Sequence, residues 1–409
     1  MNSNQVYSVS EKVKWIGILD YDIVSFDVVM KTDYGTSYNS FFIDADKKVI
    51  IDTSKETFKE EYIAKVKSVV DPFEISYIVV NHTEPDHSGN LRHLMKLAPN
   101  AKVVGSGNAL RYLEDITGET FPSIKVKDGD ELDLGNMKLK FIGAPNLHWP
   151  DTIYTYLEEE KVLFTCDSFG SHYCNEKIFD DEVPNFDQAF DYYFDVILKP
   201  YSKFMLKAIE KIRPLDINVI CPGHGPILRT YWKKYVDRSE QLATEYMSTT
   251  QSQVPQVLIA YVSAYGYTKE MATSLAEGIK QAGEIETEYL DLEISSLGEM
   301  EEKMIRNSAV VVGSPTINQN TLLPVFKLFS IVNPIRDKGK PAAAFGSFGW
   351  SGEAISIIEG NLKQLKFNLF DLHASYKFYP QDSKAGEIRK FGKSFGDFVL
   401  KSADTKKNK

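Results

Sequence analysis

Asn81-His-Thr-Glu-Pro-Asp-His-Ser88 gathers His82, Glu84, Asp86 and His87 into one short run of side chains able to ligate a metal. The run follows Ile75-Ser-Tyr-Ile-Val-Val80, an apolar stretch of strand length, and precedes Leu91-Arg-His-Leu-Met-Lys-Leu97, whose apolar residues recur at helical spacing. The four side chains are therefore expected on a strand-to-helix loop, stiffened by Pro85 and able to aim them at one point. His148, Asp167 and His224 extend the set to seven candidate ligands, the last within Pro222-Gly-His-Gly-Pro226.

Four histidines and three carboxylates exceed what one tetrahedral zinc needs, and two metals sharing a bridging carboxylate is the economical arrangement. Imidazole and carboxylate without thiolate suit iron or manganese, whereas a set dominated by histidine leans toward zinc. Iron is the first expectation. A lone histidine is more simply a core or surface residue, and that is the expectation for His93 and His373, which have no partner in the pattern.

Composition bounds the remaining possibilities. A chain of 409 residues that is 43% hydrophobic and 25% charged is long enough for two or three domains with full cores. A net charge of -10 and a pI near 5.4 give no general electrostatic support to a nucleic-acid or anionic-membrane partner. Residues Met1 to Lys12 are polar, and no later stretch approaches the roughly 18 apolar residues of a spanning helix, so a cytoplasmic protein is expected. Cys166, Cys174 and Cys221 are odd in number and form no Cys-x-x-Cys pair, which argues against a disulfide framework or a four-cysteine metal site. They read as buried small hydrophobes in a reducing compartment.

The chain changes texture along its length. Up to about Pro226, short strands are expected at Phe26 to Met30, Asn39 to Ile43, Lys48 to Asp52, Lys138 to Ile142, Thr152 to Tyr156 and Lys161 to Thr165, with helices at Glu60 to Val70 and through Asp187 to Ile212. This mixture suggests a sheet core covered by helices. The polar tract Ser248 to Gln256, closed by Pro255, marks a boundary, giving domains 1–250 and 251–409. Beyond it, strand and helix alternate regularly from Val257 to Phe345, the pattern of a doubly wound parallel sheet. The basic stretch Lys401 to Lys409 reads as a frayed end.

The second half carries three ligand loops. Ser263-Ala264-Tyr265-Gly266-Tyr267-Thr268 lies between a strand and a helix, where hydroxyls and backbone N–H groups at a positive helix end suit a phosphate. It matches neither the Walker pattern nor Gly-x-Gly-x-x-Gly. The loops containing Pro315, Thr316, Ile317 and Asn318, and Ser347, Phe348, Gly349, Trp350, Ser351 and Gly352, follow expected central strands, whose carboxyl ends bind ligands in such sheets.

Together these three loops resemble flavodoxin. The resemblance implies FMN, with Ser263, Tyr265, Gly266 and Thr268 around its phosphate and the other two loops around its isoalloxazine ring.

His82-x-Glu84-x-Asp86-His87, with His148, Asp167 and His224, resembles the flavodiiron proteins, also called A-type flavoproteins, and the similarity runs over essentially the whole chain. It implies an α/β architecture: a metallo-β-lactamase-like αββα sandwich followed by a flavodoxin-like sheet. Hydrolases of that first fold usually carry His-x-His-x-Asp-His, so Glu84 is the departure that points from zinc to di-iron chemistry. By the resemblance, His82, Glu84 and His148 hold one iron, Asp86, His87 and His224 hold the other, and Asp167 bridges them. In some relatives the residue matching His87 is turned away, with water in its place. His172 is expected to support a metal-bound ligand, and Trp149, with Tyr173, to line the substrate pocket.

The implied activity is reduction of O2 to water, of NO to N2O, or both. The resemblance implies electrons arriving through FMN from a separate donor such as rubredoxin, since no Cys-x-x-Cys pair follows Leu400. It also implies a head-to-tail homodimer or a dimer of such dimers. The rival functions are a zinc hydrolase with an appended flavodoxin and a plain electron-transfer flavoprotein.

Overall fold

The computed structural model describes residues 5–26, 30–249, 254–378 and 381–407. It divides into two compact units, Met1–Tyr246 and Met247–Lys409. Residues 250–253 of the expected boundary tract lie outside the described residues.

In the first unit two sheets face each other. The first runs in the order Tyr7–Ser8, Val13–Trp15, Phe41–Ile43, Lys48–Ile51, Ile75–Val79, Lys102–Ser106 and Ser123–Val126, and the second Glu131–Asp133, Lys138–Gly143, Ile153–Leu157, Val162–Cys166 and Val219–Pro222. Each sheet begins antiparallel and ends parallel, the switch falling at Ile75–Val79 in the first and at Val219–Pro222 in the second. Period-two alternation assigns the residues to layers. Phe41, Ile43, Val49, Ile51 and Val79 meet Leu139, Phe141, Leu157, Val162 and Phe164 in one buried cluster between the sheets, with the Phe41 and Phe164 rings 5.1 Å apart. The opposite faces, carrying Phe42, Ile50 and Ile78 on one sheet and Tyr154, Leu163 and Ile220 on the other, pack with helical residues such as Tyr62, Val66, Leu94, Phe190, Met205 and Ile209. The result is the αββα sandwich.

In the second unit the strands are ordered Glu286–Asp291, Gln256–Tyr261, Ala309–Gly313, Pro341–Phe348 and Asn368–Leu369, with Ala374–Lys377 also paired to Pro341–Phe348. Every pairing is parallel. This is the flavodoxin-like doubly wound order, in which the first strand lies inside the second. Helices Tyr267–Lys280 and Gln381–Lys407 cover one face, and Leu297–Arg306, Leu323–Ser330 and Glu353–Gln364 the other. The first pair packs closely because Gly278 lets the helices touch: a Cβ there would fall 2.2 Å from the Arg389 carbonyl oxygen.

Three local expectations are corrected. The stretch Phe26 to Met30 is not one strand: Phe26 faces Met30 across a small antiparallel pair, and residues 27–29 between them lie outside the described residues. The basic stretch is not a loose end as far as Lys407, because it continues the helix Gln381–Lys407, with residues 408–409 outside the described residues. The strand before the third ligand loop expected from the sequence reaches Phe348, so Gly346 and Ser347 belong to the sheet.

A charged cluster lies buried in the second unit. Asp337 accepts from the Arg336 guanidinium at 2.6 Å and pairs with Lys340 at 2.9 Å, with no exposure of its own. Burial pushes its carboxyl up, but the Arg336 hydrogen bond and the Lys340 and Arg336 charges outweigh it and hold Asp337 below the ordinary range. Because the folded value is depressed, this stabilisation is present above the unfolded value of about 3.9 and is lost as pH falls through the folded one. Asp337→Ala should cost the second unit about 3 kcal/mol by removing the buried carboxylate that Arg336 and Lys340 share. In urea melts its deficit should be largest near neutrality and shrink on acidification.

Candidate metal centre and flavin cleft

Each expected ligand of the first unit follows the end of a strand. His82 comes after Ile75–Val79, His148 after Lys138–Gly143, Asp167 directly after Val162–Cys166, and His224 after Val219–Pro222. The quoted run is only partly a loop. Pro85 opens one helical turn, Pro85–Ser88, so Asp86 and His87 sit on that turn while Glu84 caps it.

The seven residues converge. His82, Glu84, His148 and Asp167 form one group whose ligand atoms lie within 4.8 Å of one another, and Asp86, His87 and His224 form a second. Asp167 joins them: its Oδ2 faces His82 Nε2 at 3.4 Å and His148 Nε2 at 3.5 Å, while its Oδ1 faces His87 Nε2 at 3.0 Å and His224 Nε2 at 3.5 Å. Glu84 Oε2 lies 2.9 Å from His148 Nε2 and 3.3 Å from His82 Nε2. Asp86 Oδ2 lies 3.1 Å from His224 Nε2 and 3.5 Å from His87 Nε2. His87 is thus turned into the cluster.

The electrostatics are those of a cation site. Both Asp86 carboxylate oxygens and Asp167 Oδ2 are buried without a hydrogen-bond partner, which is costly unless a cation meets them. Burial disfavours charge on His82 and His87, yet the first is raised well above the ordinary imidazole range by Asp151, Glu84 and Asp167, and the second to about 9 by Asp86 and Asp167. Burial acts against Asp167 too, but His87, His82 and His148 hold it well below the carboxylate range. Protons on imidazole supply part of the positive charge that the carboxylates require. The donor set therefore fits a pair of metal ions of the carboxylate and imidazole type.

Several residues around the centre were missed by the sequence reading. Asp151 Oδ2 lies 3.1 Å from His82 Nδ1 and accepts from the Thr83 N–H and hydroxyl, so His82 Nδ1 donates and Nε2 is left for a metal. Its one sequence signal is a place three residues after His148. The Ser37 carbonyl accepts from His224 Nδ1 at 2.7 Å and sets that ring in the same way. Tyr193 is buried and donates to Asp167 Oδ1 at 3.3 Å. His172 contacts Thr36 Oγ1 through Nδ1 at 3.0 Å, and that hydroxyl lies 3.4 Å from His224 Nδ1. Burial and the neighbouring His224 push His172 well below the ordinary range, so it is neutral. Trp149 stands edge to face with His82 at 5.2 Å. Tyr173 packs with Tyr34 and Phe186 instead. The three cysteines are free and buried.

In the second unit, Tyr265, Tyr267, Pro315, Thr316, Ile317, Asn318, Ser347, Phe348, Gly349, Trp350 and Ser351 line one cleft with Phe378, a residue the sequence did not point to. Ser263, Ala264 and Gly266 lie on the turn beside it, and Thr268 in the first turn of the helix that follows. Gly266, at φ +88, precedes the helix Tyr267–Lys280 without a side-chain cap, Ser263 Oγ accepts from the Lys269 N–H at 3.2 Å, and Thr268 Oγ1 meets Ser347 Oγ at 3.2 Å. Gly352 instead precedes the helix Glu353–Gln364, and Thr316 Oγ1 accepts from the Ala354 N–H at 3.2 Å. Tyr265 and Trp350 are 82% and 74% exposed, large aromatic surfaces left uncovered around a polar turn. That combination suits a flat heteroaromatic ring with a phosphate tail.

Comparison with known proteins agrees. Residues 36–225 match the model of the ODP family beta lactamases, and residues 259–391 that of flavodoxin. The chain is 39% identical to flavo-diiron protein FprA2 of Clostridium acetobutylicum, over 96% of this chain and 99% of that one, and 36% identical to type A flavoprotein fprA of Rhodobacter capsulatus, over 96% and 91%. Among solved structures it resembles the flavodiiron protein of Giardia intestinalis (TM-score 0.65, 30% identity, 98% of both chains). It also resembles rubredoxin oxygen:oxidoreductase of Desulfovibrio gigas (TM-score 0.68, 28% identity, 98% of this chain and 100% of that one). Fold and site define an oxidoreductase built on a metallo-β-lactamase-like and a flavodoxin-like unit. The chain belongs to the flavodiiron protein family, the type A flavoproteins, whose cofactors are FMN and a non-haem di-iron centre.

Two substitutions probe the two sites. Asp151→Ala should weaken metal binding roughly 10- to 100-fold by freeing the His82 ring, read by metal titration of the metal-free chain. Trp350→Ala should raise the FMN dissociation constant roughly 2- to 13-fold, the equivalent of a lost aromatic contact of about 0.5–1.5 kcal/mol. Because Trp350 is exposed, the melting temperature of the flavin-free protein should not move.

Proposed function

We propose that this chain reduces O2 to water, NO to N2O, or both, with His82, Glu84 and His148 holding one iron, Asp86, His87 and His224 the other, and Asp167 bridging them. The observation that carries this reading is Asp167, one of whose oxygens faces each group of histidines. When bound, the irons and FMN supply the electrons, either O2 + 4 e⁻ + 4 H⁺ → 2 H2O or 2 NO + 2 e⁻ + 2 H⁺ → N2O + H2O.

The protein's own part is to hold and orient. Asp151 and the Ser37 carbonyl keep His82 and His224 in the tautomers that leave Nε2 free. Tyr193 steadies the bridging carboxylate by donating to its Oδ1. Trp149, beside His82, borders the substrate side, and neutral His172 supports His224 through Thr36. Around the flavin, Ser263, Ala264, Tyr265, Gly266, Tyr267 and Thr268 take the phosphate. The loops Pro315 to Asn318 and Ser347 to Gly352 take the ring.

Electrons come from a separate carrier such as a rubredoxin, a choice supported by the name of the Desulfovibrio gigas neighbour. The working form is a head-to-tail homodimer or a dimer of such dimers, following the family resemblance. The free thiols suit a cytoplasmic location.

Metal analysis of the purified chain, followed by O2 and NO consumption with a reduced donor, tests the proposal. About two irons per chain and turnover of at least one gas are expected. Asp167→Ala should lose iron and turnover together. Turnover that persists in an iron-free variant, or two zinc ions with no reductase after iron reconstitution, would overturn it.

A further inference from the structure

We propose that Asn39 is a positioning residue for one side of the metal centre, clamping the loop that presents His224. This rests on the metal assignment above and extends it to a residue outside the ligand set.

The loop Pro222-Gly-His-Gly-Pro226 carries two glycines flanking its ligand, the residues with the greatest backbone freedom. The backbone of Cys166 and Ser171 bonds to Gly223 and His224, and Asn39 takes up three more of the loop's carbonyls. The Asn39 backbone N–H donates to the Gly223 carbonyl at 2.8 Å. The Asn39 Nδ2 donates to the Pro222 carbonyl at 2.9 Å and to the Gly225 carbonyl at 2.9 Å. The side chain of this residue, only 2% exposed, therefore ties Pro222 and Gly225 on either side of His224, and its backbone ties Gly223. Two residues earlier, Ser37 completes the frame: its Oγ accepts from the Gly225 N–H at 2.8 Å and its carbonyl from His224 Nδ1.

The orientation of the amide is itself fixed. Trp15 Nε1 can only donate, and it meets Asn39 Oδ1 at 2.8 Å. The NH2 must then face the two loop carbonyls, which can only accept, and a flipped amide would satisfy none of the three contacts. Trp15 is buried and carries the Lys65 ammonium 4.8 Å from its ring centre, while that ammonium donates to the Gly17 carbonyl at 2.7 Å. The chain of contacts thus ends in a second fixed group.

The clamp acts on one ion. His82 is oriented by Asp151 and His148 follows a different strand, so neither depends on Asn39. His224 does. Loosening Asn39 should weaken the ion held by Asp86, His87 and His224 and spare the one held by His82, Glu84 and His148.

Asn39→Asp makes the sharpest test, since it keeps the shape and the Trp15 contact but sets an acceptor against two carbonyls. The metal-free full chain with FMN bound would be titrated with Co(II) alongside the wild type. For the wild type, two ions per chain are expected, and failure to bind a pair would overturn the metal assignment itself. For Asn39→Asp, one ion should keep wild-type affinity and the other weaken roughly 10- to 100-fold. Two ions at wild-type affinity, or equal weakening of both, would overturn the clamp while leaving the assignment standing. Asn39→Ala, which removes both Nδ2 contacts outright, should weaken the same single ion. If Asn39→Asp does not fold, that variant decides: unchanged binding of both ions overturns the clamp.

Discussion

Three carboxylates, Glu84, Asp86 and Asp167, are held together inside an apolar sandwich, and the demand of that negative charge for cations organises everything around it. Charge of this density in a buried place is tolerated only when it is paired. Asp167 is the hub, since its two oxygens divide four imidazoles into two pairs. Metal ions would replace those imidazole contacts by direct ligation, which is why the same geometry that satisfies the metal-free site also prepares the loaded one.

The sandwich contributes by bringing strand ends to one place. Residues after four strands, from both sheets, supply all the candidate ligands, and the strand that ends at Cys166, just before Asp167, carries an irregularity between Phe164 and Cys166 where it pairs with Val219–Pro222. The cluster between the sheets is apolar, as the Phe41 and Phe164 pair illustrates, and the candidate ligands stand beyond the strand ends. The two halves of the centre are nevertheless framed differently. His82 is fixed by a buried carboxylate, His224 by a backbone carbonyl, and His87 has a buried Nδ1 with no hydrogen-bond partner. An imidazole whose ring donates to a carboxylate is a more basic ligand than one that donates to a carbonyl. The two ions would therefore sit in unequal fields.

Legibility in the sequence followed the locality of each signal. The ligand set was readable because four of its members share eight residues and the others stand in recognisable loops, and the parallel sheet was readable because each strand and helix is long enough to show its own period. The helix Leu91–Leu97 falls where its period puts it. Elements that depend on distant partners were not readable. Tyr7–Ser8 and Val13–Trp15 are too short to carry a pattern and exist by pairing with each other and with Phe41–Ile43. Asn39, Asp151 and Tyr193 act on residues 183, 69 and 26 positions away, and the sequence around them offers no more than the place of Asp151 three residues after His148. The helical turn at Pro85 was misjudged as loop for a related reason: proline restricts a loop but also starts a helix, and only the surrounding hydrogen bonds decide between them.

The flavin cleft shows the opposite balance of burial. Its polar floor is already satisfied, with Thr268 against Ser347 and Thr316 bonded to the strand and the following helix. Its walls are the unsatisfied part, because Tyr265, Trp350 and Phe378 all expose much of their rings at one cleft. Exposed aromatic surface grouped around a concavity gains by being covered, and a flat ring inserted among these side chains covers it without disturbing the floor. The cleft is thus preformed for recognition at its base and adaptable at its rim. Gly346, in the strand Pro341–Phe348, lets that strand come close to Ser314. A Cβ at Gly346 would fall 2.1 Å from the Ser314 carbonyl oxygen, so that position accepts no side chain without moving the loop that carries Pro315 and Thr316.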